Sequence, residues 1–325
     1  MTVPILVALA VDDVTAAHHL AAAAQATGVT ALRLLDDGLD PTVVAGALAG
    51  RHGDLGYVVD VPTTHHAPYN TARRVLSLDR AGAGRTGLAL RAGAGDEVSD
   101  GALDVATDVP PARRWAEYAH VLTRLWESFP RDALVGDAER AVVVDASRLR
   151  RVDHTGPAYR VAGPLDGPAS VQGRPVLVAD DVDVLGWAVV AAVADVVVVD
   201  VGTGVPGAAD AALTAALADA GRRRDEVALV GRVTVDLADD APVDRVHALV
   251  DALRARVRAE RLDGLELVPQ GGAAGALAAV RALVPLLVGT SAAGARQAGA
   301  SGAGAPATLR TALRLPVPAL AGAVA

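Results

Sequence analysis

A (β/α)8 TIM barrel, a fold of the α/β class, is what this sequence predicts, and three observations predict it. Short β-branched runs alternate with longer Ala/Leu-rich amphipathic segments. The alternation can be followed through eight strand-helix units, enough to close a parallel sheet on itself and leave no edge. No G-x-G-x-x-G follows the first strand, which weakens the alternative of an open doubly wound sheet.

Pro4–Val11 reads as the first strand and Val14–Thr27 as its helix. Thr30–Leu35 is the second strand, and its helix Pro41–Ala49 opens on Asp40-Pro41, an N-cap followed by Pro at the first helical position. Gly56–Val61 pairs with Pro68–Arg80, and Thr86–Arg91 with Pro111–Phe129, a helix opened by Asp108 and a Pro pair. Ala141–Val161 breaks the rhythm and reads as a hairpin excursion between helix 4 and strand 5. The pattern resumes with Arg174–Ala179 and Val184–Ala194, then Val196–Val201 and Ala209–Ala220. Val227–Val235 with Val243–Glu260 and Gly264–Val268 with Ala274–Leu287 complete it. The barrel is thus expected over residues 1–288. Residues 289–325 form a second region, in which Gly289–Ala305 is an aperiodic Gly/Ala/Ser linker. Beyond it, Thr308–Leu315 is a short amphipathic tail expected on the barrel exterior or on a partner subunit.

Composition excludes several chemistries. The chain has no Cys, hence no disulfide, thiolate metal site or Cys nucleophile. All 30 basic residues are Arg, which removes Schiff-base chemistry and a P-loop lysine. The net charge of -8 argues against a nucleic-acid partner. The start, Met1–Val11, reads as a strand rather than a leader, and Leu185–Val199 contains Asp195 and falls short of a membrane span. The expectation is a cytoplasmic protein with no membrane partner. Its core is rich in Ala and Val and holds few of the large aromatic anchors, since the chain has 3 Trp, 4 Tyr and 1 Phe.

Several stretches carry a resemblance. Val152–Asp181 runs through a Gly163-Pro164 turn, Pro168 and Gln172-Gly173-Arg174-Pro175 into an apolar strand. Thr63–Arg85 holds Pro68, Tyr69, Ala72, Arg73, Leu78, Asp79, Gly84 and Arg85. Trp126-Glu127, Asp132–Leu134, Asp263-Gly264-Leu265, Val284-Pro285 and Thr308–Arg310 follow in order. Together they resemble the luciferase-like flavin-dependent monooxygenases, in the branch of the large components of nitrilotriacetate, dibenzothiophene-sulfone and long-chain-alkane monooxygenases. The resemblance implies a two-component enzyme, in which reduced FMN from a separate flavin reductase reacts with oxygen to oxidise a small organic substrate. It also implies a dimer, either a homodimer or a heterodimer with a luciferase-like paralogue.

By that resemblance Thr64, His65, Arg91, Asp183 and Gly186 surround the cofactor, and His65 is the catalytic candidate, donating to flavin or peroxide oxygens. A solvated loop histidine is the alternative for both His65 and His66. The sequence departs from the family at strand four, where Leu88–Gly93 lacks the Asn and Thr of the pattern. Arg91 there is either a phosphate ligand or the partner of a nearby carboxylate. After strand five, the small phosphate-binding turn becomes Asp180-Asp181-Val182-Asp183, whose carboxylates repel a phosphate or serve as helix caps; a metal site on them is the weaker reading. No Tyr occurs near Ala112–Arg114, and Asp236–Pro242 is a short link where the family has a lid. The alternative to an FMN-dependent monooxygenase is therefore a non-catalytic paralogue or subunit that has lost tight FMN binding. An unrelated hydrolase using Asp36, Asp60, His65 and Asp180 ranks last, since no spacing among them exceeds chance and no G-x-S-x-G elbow is present.

Overall fold

The computed structural model of the chain describes residues 3–64, 66–93, 109–202, 204–289 and 307–318. Strands β1 (Ile5–Leu9), β2 (Ala31–Leu34), β3 (Gly56–Pro62) and β4 (Thr86–Arg91) form the first half of a barrel. Two hairpins follow, β5 (Leu134–Asp137) with β6 (Val142–Val144) and β7 (His154–Thr155) with β8 (Arg160–Val161). Strands β9 (Val176–Ala179), β10 (Val196–Asp200), β11 (Ala228–Val235) and β12 (Gly264–Pro269) form the second half. All eight barrel strands are parallel, and β12 pairs with β1 to close the ring.

Around this ring lie α1 (Val14–Thr27), α2 (Pro41–Ala49), α3 (Pro68–Ala81), α4 (Pro111–Glu127), α5 (Val182–Leu185) and α6 (Trp187–Val193). They are followed by α7 (Ala208–Asp219), α8 (Val243–Glu260) and α9 (Gly272–Val288). Asp40 caps α2 through bonds from the Thr42 and Val43 amides, with Pro41 at the first helical position, as its sequence predicts. Asp108 lies outside the described residues. The single helix expected over Val184–Ala194 is broken at Gly186, whose φ of +80° lies outside the helical region, so α5 and α6 are separate pieces.

Alternation along each strand sorts the side chains into two cores. Ile5, Val7, Leu32, Leu34, Val59, Leu88, Leu90, Leu177, Leu265 and Leu267 face the helices. Leu6, Ala31, Val58, Ala89, Val176, Val178, Val196, Val198, Ala228 and Val230 fill the barrel itself. These inner side chains are small and β-branched, as packed barrel layers require.

The C-terminal segment closes the barrel from below. Helix α10 (Leu309–Ala312) inserts Leu309, Leu313 and Leu315 into the inner core, so the segment docks in the barrel floor rather than on its exterior. Two glycines at strand starts make room: a Cβ at Gly56 would stand 2.8 Å from Leu309 Cδ1, and one at Gly87 3.2 Å from Leu309 Cδ2. Buried polar groups lock the same end. Asp79 accepts from the Thr86 amide, from Gln172 Nε2 and from the Ser170 hydroxyl. Gln172 Oε1 accepts from the Arg310 amide, and Arg310 donates to both oxygens of Asp195 at 3.0 and 2.9 Å. Burial opposes the Asp195 charge, but Arg174 and Arg310 hold its carboxyl below the usual range. Removing the Leu309 side chain leaves a cavity in this floor. Leu309→Ala should lower unfolding free energy in urea by about 2–5 kcal/mol, and Leu309→Met by less than about 1.5 kcal/mol.

Candidate functional site at the barrel mouth

Chemistry on this architecture sits where the strands end, at the face opposite α10. The alternation that places small apolar residues inside the barrel also brings charged ones inward near that face: Arg33, Asp60, Arg91, Asp180, Arg232 and Glu266. They meet as one ion-paired layer. Arg33 is fully buried and donates Nε to Asp60 at 2.7 Å, Nη2 to Asp60 at 3.1 Å and to Asp180 at 2.6 Å, and Nη1 to Glu266 at 3.2 Å. Arg232 donates to Glu266 at 2.6 Å and to Asp180 at 2.8 Å. Arg91 reaches Asp60 and Asp180 at 3.3 Å and Asp181 at 3.4 Å.

Three guanidinium groups thus face four carboxylates, leaving one negative charge in excess. The strain of burial falls unevenly. Burial lifts the Asp60 carboxyl above its usual value despite Arg33 and Arg91. Burial also acts on Asp180, yet Arg33, Arg91 and Arg232 together hold its pKa down at about 2. Arg33 stays charged: burial pulls its pKa down, but Glu266, Asp60 and Asp180 raise it well above the ordinary value.

The nominated residues do not converge. Thr64 is buried beside Gly93, where a Cβ would come within 2.6 Å of its Oγ1. His65 lies outside the described residues. Arg91 takes the carboxylate-pairing role, not that of a free phosphate ligand. Asp183 and Gly186 are exposed. The three turn carboxylates separate: Asp180 points into the ion layer, Asp181 accepts from the Ala92 amide at 3.0 Å, and neither caps α5 with its side chain. Where the resemblance called for a Tyr on α4, Arg114 is buried and donates to Thr63 Oγ1 and to the Ala92 and Gly93 carbonyls. Tyr118 and Tyr159, packed edge to face, hold the loop after β3 through the His66 and Thr63 carbonyls.

Arg33, Arg232, Glu266 and Arg114 were not nominated from sequence. The signal for the first three was present: each is a charge inside an otherwise apolar strand. Beside the mouth, between the loops after β2 and β3, lies a cavity of about 230 Å³ lined in part by Asp36, Asp40, His66, Thr71 and Arg74.

No protein-family model matches the chain. It is 33% identical over 213 residues to the second subunit of pristinamycin IIA synthase of Streptomyces pristinaespiralis, an alignment covering 62% of this chain and 69% of that protein. It is 32% identical over 142 residues to dibenzothiophene-sulfone monooxygenase of Rhodococcus erythropolis, over 43% of this chain and 31% of that protein. The alignment with this monooxygenase thus spans only about a third of its length. EDTA monooxygenase from Chelativorans sp. BNC1 superposes with a TM-score of 0.78 at 17% identity, covering 97% of this chain and 99% of that one. The chain belongs to the luciferase-like flavin-dependent monooxygenase family.

A luciferase-like mouth that holds FMN needs cationic or amide donors for the phosphate and room for the ring. The described residues of this member do not fit that group. The Ala92 amide and the Arg91 guanidinium are engaged by Asp181, and Asp180 engages Arg33 and Arg232. The described cavity is smaller than the ~300–1,000 Å³ usual for such ligands, and Asp36 and Asp40 are among its lining residues.

Replacing Arg33 with Met should destabilise the fold by about 3–5 kcal/mol in urea denaturation, because Asp60, Asp180 and Glu266 then share a dry layer with too few cations. Asp180 also sets an acid limit. A carboxyl held below its unfolded value of 3.8 contributes stability above that pH and loses it as the pH falls through about 2. The stability gap between the wild type and Asp180→Asn, about 2 kcal/mol at neutral pH, should therefore narrow between pH 3.8 and 2.

Proposed function

We propose that this chain is one component of a cytoplasmic luciferase-like monooxygenase, in which the flavin is held by a partner subunit rather than by this barrel. The assembly would oxidise a small organic substrate with oxygen and reduced FMN delivered by a separate reductase. The observation that carries the reading is the ion-paired mouth, whose phosphate-binding donors are engaged by this chain's own carboxylates. Its likeness to one subunit of a pristinamycin synthase supports it. So do the kindred monooxygenases that share the fold.

On this reading the residues at the mouth perform no proton transfer or oxygen chemistry. Arg33, Arg91 and Arg232 keep the strand ends at fixed spacing, and Arg114, Tyr118 and Tyr159 fix the loop after β3. A rigid surface at that end is what a partner subunit needs in order to dock without paying an ordering cost.

Co-expression with a luciferase-like protein that keeps a Gly/Ser turn after its fifth strand should give a complex stable to size exclusion. Reduced-FMN-dependent oxygenation should require both chains and survive Asp183→Ala in this one. Full activity from this chain alone, with reductase and FMN, would refute the proposal.

A further inference from the structure

We infer that the mouth of this barrel is an anion site filled by the protein itself, with Asp181 standing where the phosphate of a monophosphate ester would otherwise sit. Asp181 Oδ2 accepts from the Ala92 amide at 3.0 Å and from Arg91 Nε at 3.4 Å. A backbone N–H beside a guanidinium is a donor set that suits a phosphate dianion. Here a side chain supplies the anion. Asp180 does the same one residue earlier for Arg33 and Arg232, at 2.6 and 2.8 Å.

Charge decides the outcome. With four carboxylates facing three guanidinium groups, an incoming dianion meets a layer that is already negative, and the donors it needs are occupied. Removing the Asp181 charge brings the layer to neutrality and frees both the Ala92 amide and one edge of Arg91. Asp181 is partly exposed, whereas Asp180 is not, so Asp181 is the occupant that can be removed without unlocking the buried layer. This inference goes beyond the proposed partnership and is separable from it. A chain that finds no partner leaves the mouth argument standing, and a partner complex does not establish it.

The test is thermal melting and calorimetric titration of the full chain with inorganic phosphate, FMN and riboflavin, against chloride at matched ionic strength. The wild type should respond to none of the three. Asp181→Ser should be stabilised by phosphate and should bind FMN about tenfold or more tighter than riboflavin, the worth of charge-assisted bonds to the phosphate. Asp181→Asn removes the charge but keeps an acceptor for the Ala92 amide, so it should show a smaller response of the same sign, and it decides the matter should Asp181→Ser fail to fold. Wild-type protein that prefers FMN to riboflavin, or folded Asp181 variants that ignore phosphate, would overturn the inference.

Discussion

A guanidinium with no exposed surface can persist only where carboxylates surround it, and Arg33 has three: Asp60, Asp180 and Glu266. That requirement propagates around the ring. Asp180 and Glu266 have further lone pairs to satisfy, which Arg232 and Arg91 meet, and Arg91 in turn draws in Asp181 and through it the Ala92 amide. The mouth therefore acts as one connected unit. Strands β2, β3, β4, β11 and β12 and the turn after β9 are joined across the barrel axis by charge as well as around it by backbone bonds.

The two ends of the barrel have diverged in what they keep. Asp79, Gln172, Arg174 and Arg310, which carry much of the resemblance to the family, meet at the floor, where they hold α10 in place. None of them reaches the mouth. A sequence can therefore keep its recognisable stretches, and with them its fold, while the residues that would face a cofactor change character. Membership of the luciferase-like family and a mouth unsuited to FMN are in this way compatible: the first is written in the floor, the second in the rim.

Much of the fold was legible because its signals are local. β-branched runs such as Val196–Val199 and caps such as Asp40-Pro41 mark strands and helix starts without reference to distant residues. The excursion was harder. Its strands are two to four residues long, and β5 and β6 expose Leu134, Val135, Val142 and Val143, so no periodic burial marks them. The tail's amphipathic pattern was visible at Thr308–Leu315, but its destination depends on the missing side chains of Gly56 and Gly87, which lie more than two hundred residues away. At the mouth, the acidic turn was seen and its charge weighed, but its partners were not. Arg33, Arg232 and Glu266 each look like an isolated charge in a strand. Only closure of the barrel shows that their inward register brings them together.

The central claim is that this mouth is closed by its own charges, and a crystal structure of the chain grown with FMN tests it most directly. The account predicts the Asp181 carboxylate on the Ala92 amide and Arg91, Asp180 between Arg33 and Arg232, and no phosphate within reach of any of them. FMN seated in the barrel with its phosphate on the Ala92 amide, and Asp181 turned away to solvent, would contradict it.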